Sequence, residues 1–287
     1  MVARTAGLPQ CATSNLLTST VSASSRPRSR SVSLHCTGAV NTSENIRASD
    51  ISARYDEKYL WRTDPQAFYA ARCALMHVDN DKTREYSVVP DGVEKNLCQG
   101  STPDVIRYTQ PTMKSCNLSS LFSACQGLPL LPLLSRDTIL EKFEYFTSHV
   151  LTSDEKRRLF LSGLNLVELT AIANRFFEQE GSEWRAKSYC SSVSMKDELS
   201  NLIKDNEDFR LIVNFGSSIL YQQPGNGGHF AHVDKVRLRN DTMYLHLIEH
   251  ARYKYPDSPW IPFDHMLEAM SAPGSDGQAR GYIVLRK

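Results

Sequence analysis

Residues 209–248, FRLIVNFGSSILYQQPGNGGHFAHVDKVRLRNDTMYLHLI, decide how the chain is read. Within them Phe209–Phe215, Phe230–Leu238 and Met243–Ile248 are short runs rich in aromatic, Leu, Ile and Val residues. Polar or glycine-rich turns separate the runs, which is the pattern of antiparallel strands. A last strand is expected over Tyr282–Leu285, after the Gly274–Gly281 loop. Upstream the pattern is helical. Leu118–Leu128 (LSSLFSACQGL) reads as a buried helix of small and apolar residues. Leu164–Phe177 and Val193–Ile203 carry apolar residues at helical spacing, and Ser194 and Asp197 stand at the separation of a capping box. Asp64–Met76 predicts an amphipathic helix capped by Asp64, with Pro65 at its first position. Helices first and a sheet second make an α+β arrangement in one compact unit. The sequence contains no internal repeat.

Bulk properties narrow the function. The 33 basic and 32 acidic residues nearly cancel, so nothing draws the chain to nucleic acid or to a membrane surface. The longest apolar run, Leu128–Leu134, is broken by Pro129 and Pro132, whereas a membrane span needs roughly 20 apolar residues. The seven cysteines are scattered and form no C-x-x-C pair. That pattern argues against a disulfide framework and a zinc site, and it fits a reducing compartment with functional thiols. At 287 residues, the chain holds one substantial domain or two small ones.

The first acidic residue is Glu44, and before it come Arg4, Arg26, Arg28, Arg30 and many Ser and Thr. This is the composition of a plastid or mitochondrial transit peptide, and equally of a disordered tail. Residues 1–45 are therefore set apart from a folded domain expected over 46–287. Without a transit segment, a cytoplasmic location is the expectation.

A nucleophilic cysteine needs thiolate character, a nearby base and donors for the developing oxyanion. Cys116 stands just before the apolar helix, in QPTMKSCNLSSLFSAC, where unpaired N–H groups favour the thiolate. Gln110, six residues upstream, is placed to offer a side-chain amide to the oxyanion. His229 opens a strand after glycines that permit close backbone approach. His232 competes with it, but alternation puts His229 and Ala231 on one face and His232 on the other. Glu249 ends the next strand, where a carboxylate can orient an imidazole. The chain order of Cys, His and acid is the papain-type one. Alone, each has a plainer reading: a buried thiol, a turn histidine, a solvated strand-end charge. Cys125, nine positions after Cys116, is about two and a half helical turns on and is expected to be core.

Ala251–Pro262 (ARYKYPDSPWIP) closely resembles the A-R-[FY]-K-Y-P-P-h-W-V-P signature of phytochelatin synthases. MLEAMSAPGSDGQARGYIVLRK resembles their LWEAM…G-x-x-RG-[FY] ending, and Gly228–His229–Phe230 their GHFSP motif. Val213–Phe215 is similar to their V-N-Y, and Gln110 with Cys116 keeps their Q-x-x-x-x-x-C spacing. The resemblance runs from about Thr109 to Lys287. It implies a papain-like cysteine enzyme that attacks the γ-glutamylcysteinyl–glycine bond of glutathione, releases glycine and passes the acyl group to glutathione or water. Cys116 is then the nucleophile, His229 the base, Glu249 the orienting acid and Gln110 the oxyanion donor. Asn117, Gly228 and Arg252 are the expected substrate contacts. No tightly bound cofactor is implied, because cadmium or zinc arrives as glutathione thiolate. Small-molecule thiols are the expected partners, and the sequence does not specify an oligomeric state.

The chain also departs from the family. Glu249 stands where the family has aspartate, adding one methylene, and Ala231–His232 replace the Ser-Pro after GHF. Gly216, Ser217 and Ser218 occupy the place of an arginine that follows the Asn-Tyr strand, and the cysteine-rich extension of plant members is not expected. Residues 46–108 match poorly. These departures keep open a related cysteine peptidase or amidase with another acyl donor, and a pseudoenzyme that binds a thiol or metal.

Overall fold

A computed structural model of the chain describes residues 76–97, 110, 114–128, 139–205, 207–224, 227–256, 258–274, 277 and 280–287. Residues 1–45, and the helix expected over Asp64–Met76 apart from Met76, lie outside them. Seven strands form one antiparallel sheet: β1 Val93–Asn96, β2 Arg185–Cys190, β3 Phe209–Gly216, β4 Gly228–Arg239, β5 Thr242–Ile248, β6 Trp260–Pro262 and β7 Gly281–Arg286. Their spatial order is β2-β7-β3-β4-β5-β6, and β1 pairs with the far end of β4. The four expected strands are present within one or two residues of their expected ends.

The apolar runs put β3 at the centre, every residue of it buried. β4 and β5 form a hairpin whose turn residue Asn240 takes φ +52, a left-handed conformation that asparagine tolerates. A register shift between Val233 and Lys235 lets Val233 and Val236 face the same core although they are three residues apart. A strand whose two faces both meet cores must be covered on both sides, and helices do this.

In chain order, the described helices are α1 Asp81–Tyr86, α2 Cys116–Ala124, α3 Ile139–Tyr145, α4 Ser153–Leu161, α5 Leu166–Gln179, α6 Met195–Lys204, α7 Ser217–Leu220 and α8 Phe263–Ser271. One core joins α2, α3 and α5 to Phe230, Ile212, Ile283 and Leu285 of the sheet. The other joins α6 and α8 to Leu211, Val213, Ala231 and Leu245. The fold is thus a mixed α+β one. Helices also follow and interleave with strands, because β2 and α8 escaped the reading of helices first and sheet second.

Start signals differ in how well they act. Thr152 with Glu155 and Asn165 with Glu168 make reciprocal capping boxes that open α4 and α5. Ser194, the expected cap of α6, makes no such bond. Its backbone is already helical, at φ −70 and ψ −14, and its hydroxyl donates to Glu198 Oε1 at 3.0 Å instead. The cysteines bring a second correction. Cys190 is disulfide-bonded, while Cys116 and Cys125 are free thiols.

Phe122, Phe146 and Phe176 stack through the first core, with ring centroids 4.8 and 4.6 Å apart. Phe176 is fully buried. Phe176→Ala is therefore expected to cost about 3–5 kcal/mol, read as a lower urea midpoint. An unchanged midpoint would show that this helical layer does not hold the sheet.

Candidate active site

Cys116 is the first residue of α2, which starts two residues before the helix expected from Leu118 and ends at Ala124 rather than Leu128. The preceding Ser115 makes no side-chain cap, so no side chain of that residue covers the helix's first N–H groups. Position Cys116 there and the thiol meets the partial positive end of nine residues of helix. Leu118, Leu121 and Phe122 anchor the helix against the sheet, which fixes where that end points.

His229 opens β4 on the face opposite His232, as alternation requires. His232 is fully buried, bonded through Nδ1 to Ser123 Oγ of α2 at 3.0 Å, and burial pulls its imidazole down to about 3. It belongs to the packing between α2 and the sheet. His229 instead donates Nε2–H to Glu249 Oε1 at 2.6 Å. Its side chain also bonds to that of Cys116, and with Nε2 taken by Glu249 this contact falls to Nδ1. Phe215 and Tyr255 stand edge-on to the imidazole, with centroids 5.5 and 5.2 Å away. Asn214 Nδ2 donates to the His229 carbonyl at 3.2 Å.

Glu249 follows β5 directly and is fully buried. Its Oε1 also accepts from the Ala251 N–H at 2.8 Å, and its Oε2 faces the Tyr221 hydroxyl at 3.4 Å. A buried carboxylate stands only if it is paired and hydrogen-bonded, and here it is both. Burial alone would push the His229 imidazole down. The Glu249 charge and the Cys116 sulfur outweigh it and raise the group from its ordinary 6.5 to about 10.

Gln110 lies on the same wall. Its backbone N–H donates to the His250 carbonyl and its Nε2 to the Tyr253 hydroxyl, each at 2.9 Å. Glu249 is buried behind His229, while Gln110, Cys116, His229, Tyr253 and Tyr255 border one cleft of about 450 Å³, within the usual range for small-molecule sites. Asn117 and Gly228 also line it. Gly228 is needed for close approach, because a Cβ there would sit 2.6 Å from Arg280 Nη1, which donates to the Phe215 carbonyl. Arg252 is half-buried and is not among the residues that line the cleft, although its neighbours Ala251, Tyr253, Lys254 and Tyr255 are.

The cleft's charged lining escaped the sequence reading. Lys114, Arg158, Lys254 and Arg280 border it against one carboxylate, Glu168, which pairs with Arg158. Burial presses the Lys254 ammonium below the ordinary lysine value, with Lys114 acting the same way and Glu249 opposing both. Ser217, in the place of the missing arginine, spends its hydroxyl on the Gly227 carbonyl. The alternation Tyr253–Lys254–Tyr255 was legible as a motif but not as three cleft residues. Cys125 is core as expected, its thiol pushed up to about 12 by burial. Among the described residues, no group of three or more His, Cys, Asp or Glu stands close enough to hold a metal ion. No described helix is long and apolar enough to cross a membrane.

A nucleophile, an imidazole bonded to it, a buried acid behind the imidazole and a side-chain amide nearby are the parts that acyl transfer requires. A sequence model of the phytochelatin synthase family matches residues 103–282, more than half of the chain and every one of these positions. No curated protein matches it.

Because the His229 value is raised on folding, the ion pair stabilises the fold fully below about pH 6.5, and this contribution fades as pH rises through about 10. Urea unfolding between pH 6 and 10 should show that decline in the native chain and a flatter profile in Glu249→Gln. Equal slopes in both would mean that the pair is not charged in the folded state.

Proposed function

The chain belongs to the phytochelatin synthase family, and we propose that it is a papain-like cysteine acyltransferase acting on glutathione or its metal thiolates. The observation that carries this reading is the hydrogen-bonded line Cys116–His229–Glu249, whose first two members border the cleft and whose acid is buried behind them. The placement of cysteine on a helix, of histidine on one strand and of the acid just past the end of the neighbouring strand supports the papain-like arrangement.

In the proposed reaction the Cys116 thiolate attacks the carbonyl of the γ-glutamylcysteinyl–glycine amide. Negative charge develops on the carbonyl oxygen, and the Gln110 amide with the first N–H groups of α2 are its donors. The C–N bond breaks as His229 gives its Nδ1 proton to the departing glycine amine, leaving a thioester on Cys116. The amine of a second glutathione, or water, then attacks the thioester while His229 takes the incoming proton, and the thiolate is restored. Glu249 keeps the imidazole turned toward sulfur and balances its charge in both halves.

The cleft lining favours this substrate class. Glutathione carries two carboxylates and one ammonium, a net negative molecule, and four cationic side chains face one paired carboxylate in the cleft. Asn117 and Gly228 are the proposed backbone-level contacts at the reacting centre. Metal ions enter as thiolate complexes of the substrate.

Purified protein incubated with glutathione, with and without cadmium or zinc, should release glycine, and Cys116→Ala should release none. Mass spectrometry distinguishes longer γ-glutamylcysteinyl chains, the product of transfer, from γ-glutamylcysteine, the product of hydrolysis. Glutathione left intact by the native chain would overturn the substrate and favour another acyl donor, to which Ser217 in place of the arginine already points.

A further inference from the structure

Glu249 is one methylene longer than the aspartate of the resembled motif, and that extra length has to be absorbed somewhere. Its Oε1 is fixed twice, by the His229 Nε2–H at 2.6 Å and the Ala251 N–H at 2.8 Å. Oε2 is the second oxygen of a fully buried carboxylate, and an undonated oxygen there is costly. The donor facing it is the Tyr221 hydroxyl, 3.4 Å away.

Tyr221 cannot easily move. Its ring stacks on Tyr255 at 4.2 Å and 19° and meets Phe215 edge-on at 6.1 Å. It meets Tyr86 edge-on at 6.3 Å, and its carbonyl accepts from Asn80 Nδ2 at 2.7 Å. Tyr255 in turn stands against His229 at 5.2 Å. One aromatic bracket therefore touches the imidazole with one ring and aims a hydroxyl at its carboxylate with the next. Burial, and then the Glu249 charge, hold the phenol well above its ordinary 10, so it remains a donor throughout the working pH range.

We infer that Tyr221 is a positioning residue: its hydroxyl clamps the longer Glu249 so that His229 keeps its aim at Cys116. The inference rests on the acyl-transfer reading of the Cys–His–Glu line, though not on glutathione as the substrate. Tyr221 touches neither sulfur nor substrate, so its effect has to pass through Glu249. That gives it a signature. The hydroxyl should matter when residue 249 is glutamate and cease to matter when it is aspartate, whose shorter arm leaves Oη out of reach.

The experiment is a double-mutant cycle of Tyr221→Phe and Glu249→Asp, read by the rate at which iodoacetamide alkylates Cys116, with Cys116→Ala as the blank. Alkylation reports the state of the thiol without assuming an acyl donor. Tyr221→Phe alone should slow alkylation on the order of ten-fold, what one hydrogen bond to a charged group is worth. Where glutathione is turned over, kcat should fall by a similar factor while KM holds. In the Glu249→Asp background the same change should alter neither rate more than about two-fold. Because the substitution deletes a single buried oxygen, melting curves of the four proteins show whether folding is intact. An equal loss in both backgrounds, or no loss with glutamate in place, would overturn the inference. A native chain that is alkylated rapidly yet ignores glutathione would sink the substrate reading and leave this one standing.

Discussion

Everything in the site hangs on a buried ion pair. Glu249 has no exposed surface and His229 almost none, and neither charge could stay in such a place without the other. Breaking a buried pair of this kind commonly costs about 3–5 kcal/mol, since the survivor is left uncompensated. The fold is arranged so that the pair forms. Glu249 leaves β5 where β4 and β5 part company, and the chain turns at once, so the Ala251 N–H comes back onto the same carboxylate oxygen. The turn that carries the family's signature residues is therefore also the turn that holds the acid.

The nucleophile reaches this pair by an independent route. Cys116 is carried by α2, which packs on the face of the sheet away from His229's aromatic neighbours, through Phe230 and Ile212. At the start of this helix the sulfur bonds to the His229 imidazole. Two cores thus set one geometry. The phenylalanine stack under α2 locates sulfur, while Phe215, Tyr221 and Tyr255 locate the imidazole and its acid. Their misalignment by about 1 Å is the kind of error that costs on the order of 100-fold in rate, which explains why so much aromatic packing surrounds so small a site.

Much of this was legible in the sequence. The central strands showed themselves because period and composition agree over FRLIVNF and the segment after GGH, and alternation separated His229 from His232. Gln110, Cys116, His229 and Glu249 were named as the reacting set; the fold draws the first three to one cleft and sets Glu249 behind His229. β2 was invisible because RAKSYC alternates exposed and buried residues with little apolar content, and it gains its place from β7 rather than from itself. Arg252 is half-buried and outside the cleft lining, although four of its neighbours in the motif belong to that lining. The cationic lining stayed hidden because it gathers residues far apart in the chain. Tyr221 carried no local sign at all, since a tyrosine before QQPG reads as a loop residue until its ring is seen in the stack.

The two departures from the family pattern meet different fates in the fold. The longer acid is taken up locally by a donor from an adjoining element, leaving the imidazole where it must be. Of Gly216, Ser217 and Ser218, which stand in the place of the arginine, Ser217 turns its hydroxyl to the Gly227 carbonyl. What replaces the arginine is charge spread around the rim. Arg280 is a poor fork for a carboxylate, having turned its Nη1, Nε and Nη2 groups to the carbonyls of Phe215, Ala272 and Pro273. Arg158 is tied to Glu168, and Lys254 is partly desolvated against Tyr255. A bidentate arginine reads the shape of a carboxylate, whereas several separated cations read chiefly its sign. A cleft built this way favours a ligand by the sign of its charge more than by its shape. The chemistry is then fixed more tightly than the choice of acyl donor, which is the order in which the two departures were compensated.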